Sequence, residues 1–599
     1  MTRWSPLLGL VWAAATLPAQ APAFVRPALP QASVDTTLPA GIGRTIRIPA
    51  GDNAALQAAL DSALGTDVIV LPDGAVFTGP FWLSHHSGSS VTLRSATVPP
   101  AGRVDSALTT LATLLAPTGQ PALTTRPGAN DWRLLGIRVG IAPGSTDNYG
   151  IVILGSGAET TVADQPAHIV LDRVIINADT NTTSRCLTFN GAALAVIHSA
   201  LLNCHSRGRD AQAVGGWSGA GPFLIADNLL IASTEIIAFG GADTRVPNQT
   251  PSDITIVGNT LTRPLAWARG PWLVKNFFEL KIGERVLFAN NTLENNWADG
   301  QIGHAILFQT VNQEGTTPWA HISDVTIRHN TVRSSTHGIT LIARFNNQQA
   351  LTPMARVVVD NNAFTNIGPD PITGTTGARF FQLLGDLQDV TITQNSFDGT
   401  GAAEVIAFDQ SLPPMRGLTV WNNKFAATTY GIFGGAIGTG ALTLLAPGAV
   451  VRGNVFTAQQ DYLYPPGNYF PDSLSQAPTT NDGFLIGAVA DTVPPVSAPP
   501  VVVPPPQPPP VPVPTLRTCQ DHPVGYVVTG GAAGTTAGRS EVTTISRGAD
   551  CLGVITLNSA TTYRIYTKTC AGTWVQGSTP FLTRWLAQAV LVKVPACQR

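Results

Sequence analysis

ITIVGNTL at residues 254–261, VLFANNTL at 286–293 and VTIRHNTV at 325–332 share one pattern, an apolar β-branched run followed by asparagine, a small residue and a hydrophobe. The pattern also occurs in FLIADNLL at 223–230, VVVDNNAF at 357–364, VTITQNSF at 390–397, LTVWNNKF at 418–425 and VVRGNVF at 450–456. Its asparagines are Asn228, Asn259, Asn291, Asn330, Asn362, Asn395, Asn423 and Asn454, spaced by 31, 32, 39, 32, 33, 28 and 31 residues. Shorter echoes, VIHSALL around Ser199 and VIIN at Asn177, extend it towards the N-terminus. A period near 30 with strand-like content and no intervening helical pattern reads as a parallel β-solenoid, each period making one coil of two or three short strands. A propeller blade needs about 40 residues and four strands, and leucine-rich repeats need a denser leucine skeleton. The asparagines are expected to be structural, each tolerating a left-handed backbone at a fixed corner and stacking its amide on that of the next coil.

At 599 residues the chain exceeds one compact core. Only 12% of it is charged, with a net charge of −2, so no basic field exists to hold nucleic acid. Residues 1–23 combine Arg3, an apolar stretch and small residues between Ala19 and Ala23, and read as a secretory signal. No later apolar run approaches the ~20 residues that span a membrane. The expectation is a secreted or cell-surface protein, extracellular or periplasmic, with no membrane span in the mature chain, acting as a monomer. Downstream, Leu56, Ala59, Leu60, Ala63 and Leu64 recur at helical spacing, with Asp52 or Asn53 to cap the start and Gly65 to end it. This helix covers the open first coil, and Val68–Leu71 forms a strand after it.

Residues 493–515 are a proline-rich linker in which 12 of the 21 residues from Pro494 to Pro514 are proline, an extended polyproline II spacer. It separates a β-helix domain over 45–485 from a small β-rich module over 516–599. Six cysteines suit an oxidising compartment. Cys186 and Cys204 lie in the solenoid, while Cys519, Cys551, Cys570 and Cys597 crowd into the module, whose three pairings sequence leaves open. Disulfides are expected in both regions, since no cysteine has the paired spacing of a zinc site.

A second strand type recurs as EIIAFGG at 235–241, NFFELKI at 276–282, HAILFQT at 304–310, HGITLIA at 337–343, RFFQLLG at 379–385 and EVIAFDQ at 404–410. Alternation turns Ile237, Phe278, Ile306, Ile339, Phe381 and Ile406 inward, together with Phe239, Leu280, Phe308, Leu341, Leu383 and Phe408. The opposite face collects polar side chains on the coils from Asn276 to Thr340. Lys281, Glu279, Lys275, His304 and Arg344 are the candidate catalytic residues, a cluster in a chain poor in charge. Trp272 and Trp297, with Trp267 and Trp319 nearby, offer faces to sugar rings, and Gln309 and His337 offer polar contacts. The competing reading is a set of surface ion pairs on a non-catalytic adhesive protein.

Such residues suit β-elimination from a uronate polysaccharide, which needs a base for the proton beside the carboxylate and cations for the developing charge. Lys281 or His304 would be the base, and Lys275 or Arg344 the neutralising cation. Glu279 and Asp299 are the residues that would hold Ca²⁺, and no other cofactor is implied. Hydrolysis would recruit Asp243, Glu279 or Asp299. No arginine-proline-arginine cluster and no closely paired aspartates occur.

The opening GDNAALQAALDSALGTDVIVLPDGAVFTGPFWL at 51–83 and the recurring asparagine corners resemble secreted right-handed parallel β-helix proteins of the pectin-lyase-like superfamily. GPFLIADN, KNFFELK, VLFANNTLENNWADGQ and YPPGNYFP resemble a bacterial branch of it of unassigned activity. The resemblance spans about residues 45–485 and implies a right-handed parallel β-helix acting on polysaccharide. The FELK segment is similar to the Glu-Lys-Arg set with calcium of β-helix alginate and chondroitin lyases.

Overall fold

The structure, a computed structural model, describes residues 21–489 except 40–42, 87–88, 146, 180, 345–347, 349–350, 371, 373, 375–376, 410–412 and 436, together with four strands between 542 and 576. The chain divides into two units, residues 1–505 and 506–599. In the first, three long parallel sheets of 14, 13 and 12 strands run side by side. Each coil contributes one strand to each sheet, as Ser252–Val257, Thr260–Thr262 and Phe278–Leu280 do. This is the expected right-handed parallel β-helix, the hand that parallel crossovers take.

One corner is constant along the ladder coils. Between the first and second sheets the chain turns in two residues, of which the second is the repeated asparagine. Along Asn228, Asn259, Asn291, Asn330, Asn362, Asn395, Asn423 and Asn454, each Nδ2 donates to the Oδ1 of the next at 2.9–3.0 Å. Asn468, in the YPPGNYFP segment, receives the last of these bonds at 3.0 Å. Each Oδ1 also accepts the backbone N–H of the preceding ladder residue. The left-handed residue is not the asparagine but the one before it: Asp227, Gly258, Asn290, His329, Asn361, Gln394, Asn422 and Gly453 have φ between 51° and 69°. Ser199 starts the ladder by donating its N–H to Asn228 Oδ1. Asn177 lies in a strand, past its own coil's corner at Arg173, so the VIIN echo is not part of the ladder.

Two residues after each corner asparagine a hydrophobe points inward, which explains the xNTL and xNxF spelling. Phe364, Phe397, Phe425 and Phe456 pair in register and stack at 4.1, 5.8 and 5.5 Å. Tyr464 closes the stack 4.2 Å from Phe456. At the other end the helix Asn53–Ser62 is capped by Asp52, whose carboxylate accepts from Ala55 N. Leu56, Ala59 and Leu60 enter the continuous core, whereas Leu64 is exposed, because the helix stops at Ser62 before Gly65 is reached.

Cys186 and Cys204 form a disulfide inside the solenoid, Cα to Cα 5.7 Å. The second unit holds a four-stranded antiparallel sheet, Val542–Arg547, Asp550–Ser559, Thr562–Lys568 and Trp574–Gln576. The linker and the side chains of Cys519, Cys551, Cys570 and Cys597 lie outside the described residues, as do residues 1–20.

Two segments cover outer faces of the solenoid. Residues 21–39 lie along the first sheet, where Ala28 N donates to Asp324, Gln31 N to Asp253, and Arg133 to the Asp35 carbonyl. The loop around Arg103 grips Asp227 and the Gly258 carbonyl, and its Val104 and Leu111 pack on Ile175, Ala200 and Leu202 of the second sheet. On the third sheet the outward side chains gather around a cleft.

The ladder sets a stability test. Phe308→Ala, emptying a fully buried site, should cost about 3–5 kcal/mol. Asn330→Ala strands the Asn291 N–H and the Phe288 carbonyl and should cost roughly 2–4 kcal/mol, since each orphaned buried group costs about 1–3 kcal/mol. Denaturant unfolding should place the two variants within a factor of two of each other in lost stability; a neutral Asn330→Ala would contradict the ladder's weight.

Candidate functional site

Each third-sheet strand enters through a bend at which two consecutive side chains point inward. Ile236 with Ile237, Phe277 with Phe278 and Ala305 with Ile306 are all buried in the core. The residue before each pair therefore projects outward. Register builds a row from Arg185 through Gln212, Glu235, Asn276, His304, His337 and Arg379 to Glu404, one residue per coil. A parallel row runs Gly215, Ala238, Glu279, Leu307, Thr340, Gln382. Coils are about 4.8 Å apart. Where this second row carries only Gly215 and Ala238, the surface sinks into a cleft of about 120 Å³ lined by Tyr149, Arg185, Asp210, Gln212, Trp217, Glu235, Glu279 and Lys281.

The polar floor is a buried ionic cluster. Lys281 Nζ lies 2.9 Å from Glu279 Oε1, and Lys275 Nζ contacts Asp210 and lies 2.9 Å from Glu235 Oε1. Gln212 Nε2 donates to Glu235, while Asn276 Nδ2 donates to both Glu279 and Gln301. Glu235 is 1% and Glu279 2% exposed, so this outward face is not an ordinary surface. Burial raises Glu235, but the Lys275 ammonium and then Lys281 outweigh it and hold the carboxyl below its usual range. Burial also raises Glu279, and with Glu235 nearby it prevails over Lys281, so Glu279 sits above the usual range. Burial lowers both lysines, yet the carboxylates win and raise them. Lys281 and Lys275 are therefore cations at neutral pH, which suits them to neutralisation rather than to the role of base.

The next coils carry a histidine pair. His304 and His337 have ring centroids 4.8 Å apart. Burial, then His337 and Arg379, push His304 well below its ordinary value. Burial, then Arg379, bring His337 to about 4. His304 Nε2 faces the Gln382 carbonyl oxygen at 3.1 Å, so the Nε2 tautomer is favoured and Nδ1, buried and unpartnered, keeps its lone pair.

The remaining candidates separate. Arg344 pairs with Asp386, its Nε 3.2 Å from Oδ1, two coils beyond Lys281. Asp299 is exposed and accepts from Val274 N; it shares no partner with Glu279. No group of three or more His, Cys, Asp or Glu side chains able to hold a metal occurs among the described residues. Trp297 is 1% exposed and packs on Ala268 and Val274, which leaves it no face for a sugar. Trp272 stacks on His205 at 3.8 Å, and Gln309 is half-buried. Sequence reasoning missed Arg185, Asp210, Gln212, Glu235 and Asn276 as site residues. Glu235 and Asn276 each open one of the repeated strand segments, which is the signal that could have found them.

No protein-family profile and no curated protein matches the chain. Solved structures do. An alginate lyase from Paenibacillus sp. str. FPU-7 matches at 16% identity, over 58% of this chain and 99% of its own, with a TM-score of 0.33. A tailspike protein of E. coli bacteriophage HK620 in complex with pentasaccharide matches at 12% identity, over 74% and 78%, with a TM-score of 0.35. A family 28 exopolygalacturonase from Yersinia enterocolitica matches at 11% identity, over 71% and 78%, with a TM-score of 0.29. No helix among the described residues is long and apolar enough to cross a membrane.

The neutral histidines predict a pH signature. His337 has a folded value of about 4 against 6.5 unfolded, so between these limits the unfolded chain binds more protons. Its contribution is present above pH 6.5 and lost as pH falls towards 4, a difference of roughly 3 kcal/mol at 1.36 kcal/mol per unit. Relative to His337→Gln, the wild type should gain stability on raising the pH through that window. A wild-type minus variant difference that stays flat in pH-dependent melting would mean that His337 titrates in the fold as it does in the unfolded chain.

Proposed function

We propose that the chain cleaves an extracellular uronate-containing polysaccharide by β-elimination in the cleft on the third sheet. The observation that carries this is the Lys281–Glu279 pair, 2.9 Å apart and buried at the cleft floor, with Glu279 raised by its surroundings. Around it Lys275 and Lys281 are paired with the acids Asp210, Glu235 and Glu279, which leaves Arg185 as the cleft cation without an acidic partner among the described residues, able to meet an anionic sugar. In its ionised form Glu279 takes the proton beside the uronate carboxylate. Lys281 stabilises the negative charge that develops and gives a proton to the departing glycosidic oxygen, after which the pair exchanges protons and resets. Glu235, fixed by Lys275 and Gln212, sets the field. His304 Nδ1, one coil beyond Glu279, is a second base-competent group. No step requires a metal, and the Glu279 and Asp299 carboxylates as placed do not converge on one. The polysaccharide-active β-helix proteins among the structural matches agree with this reading without supporting it.

A second reading is hydrolysis. Glu235 and Glu279, on neighbouring coils, are displaced in opposite directions, so one holds its proton more tightly than the other, the asymmetry that a general acid and its partner carboxylate need.

Incubation with alginate, polygalacturonate and glucuronate-containing polymers separates the readings. Elimination yields unsaturated uronate ends, whereas hydrolysis yields only saturated reducing ends. Lys281→Ala and Glu279→Gln should each lower turnover about 10²–10⁴-fold. Because both side chains are buried, melting curves must accompany the rates. Turnover unchanged in folded variants would move the chemistry to His304 and His337, and a wild type that binds but never cleaves would favour the adhesive alternative.

A further inference from the structure

We propose that Arg185, laid over Tyr149 and Trp217, is a carboxylate-binding subsite for one acidic unit of the polysaccharide, three coils from Glu279 along the third sheet. The proposal rests on the reading of the cleft as a polysaccharide site and adds a specificity determinant to it.

Three features single out this arginine. First, its guanidinium carbon lies 4.9 Å from the ring centroids of both Tyr149 and Trp217. Stacking fixes the plane of the fork and leaves its N–H edge for a planar anion, a match that arginine makes in bidentate fashion and lysine does not. Second, no acid answers its charge. Lys275 and Lys281 are both ion-paired, whereas among the described residues Arg185 has no ion pair or hydrogen bond, and its Nε is buried without a partner. The ring contacts offset part of the charge but satisfy no N–H. Third, the edge is kept clear. At Gly215 a Cβ would lie 3.3 Å from Arg185 Nε and 2.4 Å from Gln212 Oε1, so a side chain there would crowd the fork that glycine leaves open. Tyr149 is 50% exposed, so part of it is open to a sugar. From Arg185 the register passes through Gln212 and Glu235 to the Glu279 strand, about 14 Å at ~4.8 Å per coil, so one extended chain can engage both places.

The test uses the full chain with oligomers of galacturonate, mannuronate and guluronate, and with methyl-esterified oligogalacturonate as the uncharged isostere, followed by calorimetry and tryptophan fluorescence. The wild type should bind a free-acid oligomer more tightly than the ester. Arg185→Gln should weaken free-acid binding by about ten- to a hundredfold, the worth of a charge-assisted contact, with ester binding and the melting temperature unchanged. Arg185→Lys should recover only part of the loss. The subsite is overturned by an Arg185→Gln protein that binds free acid like the wild type, by equal losses for acid and ester, or by a wild type that binds no acidic oligomer. A wild type that binds acid through Arg185 but cleaves nothing overturns elimination and leaves the subsite standing. An active wild type indifferent to Arg185→Gln does the reverse.

Discussion

The asparagine ladder is the constraint on which the rest of the solenoid depends. A side-chain amide is a neutral group that can donate to the next coil while accepting from the one before, so a file of them satisfies backbone N–H and carbonyl groups at the corner. Because this corner is fixed at two residues along the ladder, every variation in the length of those coils must fall in the other two turns. The 39-residue spacing from Asn291 to Asn330 is absorbed by residues 310–321, between the third and first sheets. The long turn over 263–277 likewise delivers Lys275 and Asn276 to the edge of the cleft. Structural rigidity at one corner thus frees the sequence at the other two, where chemistry is assembled.

The ionic cluster is hard to explain as a source of stability. Burying Glu235, Glu279 and their lysines costs solvation that a salt bridge repays only in part, and apolar residues in their place would serve the fold as well. In a chain with 12% charged residues, placing four charges and two neutral histidines on neighbouring coils of one sheet face is a choice that packing does not require. The fully buried Arg263 makes the contrast clear. Its guanidinium donates to the Ala232, Ser233, Thr234 and Asn276 carbonyls and to Asn296, and so pins a turn. Arg185, stacked but unanswered, is poised for something from outside.

Sequence alone disclosed the coil, the corner and the inward hydrophobes, because strand alternation and a file of asparagines are local patterns. It placed Ile237, Phe278, Ile306 and their successors correctly, and Glu279 opposite them. It failed one step earlier along each strand. Strict alternation puts Glu235 on the same side as Ile237, but the bend that turns both Ile236 and Ile237 inward reverses the face, so a row of outward polar residues went unseen. Arg185 was hidden for another reason, since its coil precedes the first ladder asparagine and carries Arg173 and Val174 at the corner instead. Asp210 reaches Lys275 from a loop 65 residues away in sequence, a proximity that no periodicity encodes. Burial of the outward face was equally invisible, because it depends on turns folding over the sheet.

The arm over residues 21–39 bears on how the molecule comes together in time. Ladder bonds link residues about one coil apart, 31 positions for Asn228 and Asn259, so the solenoid can grow by local additions. The bond from Ala28 to Asp324 spans 296 positions, and closing a loop that much longer costs about 2 kcal/mol more in chain entropy. Asp253 and Asp324 must already stand on finished coils before the arm finds them. The segment near the start of the chain can therefore bond only where those coils already stand, and it clasps two coils that the ladder joins only through the coil between them.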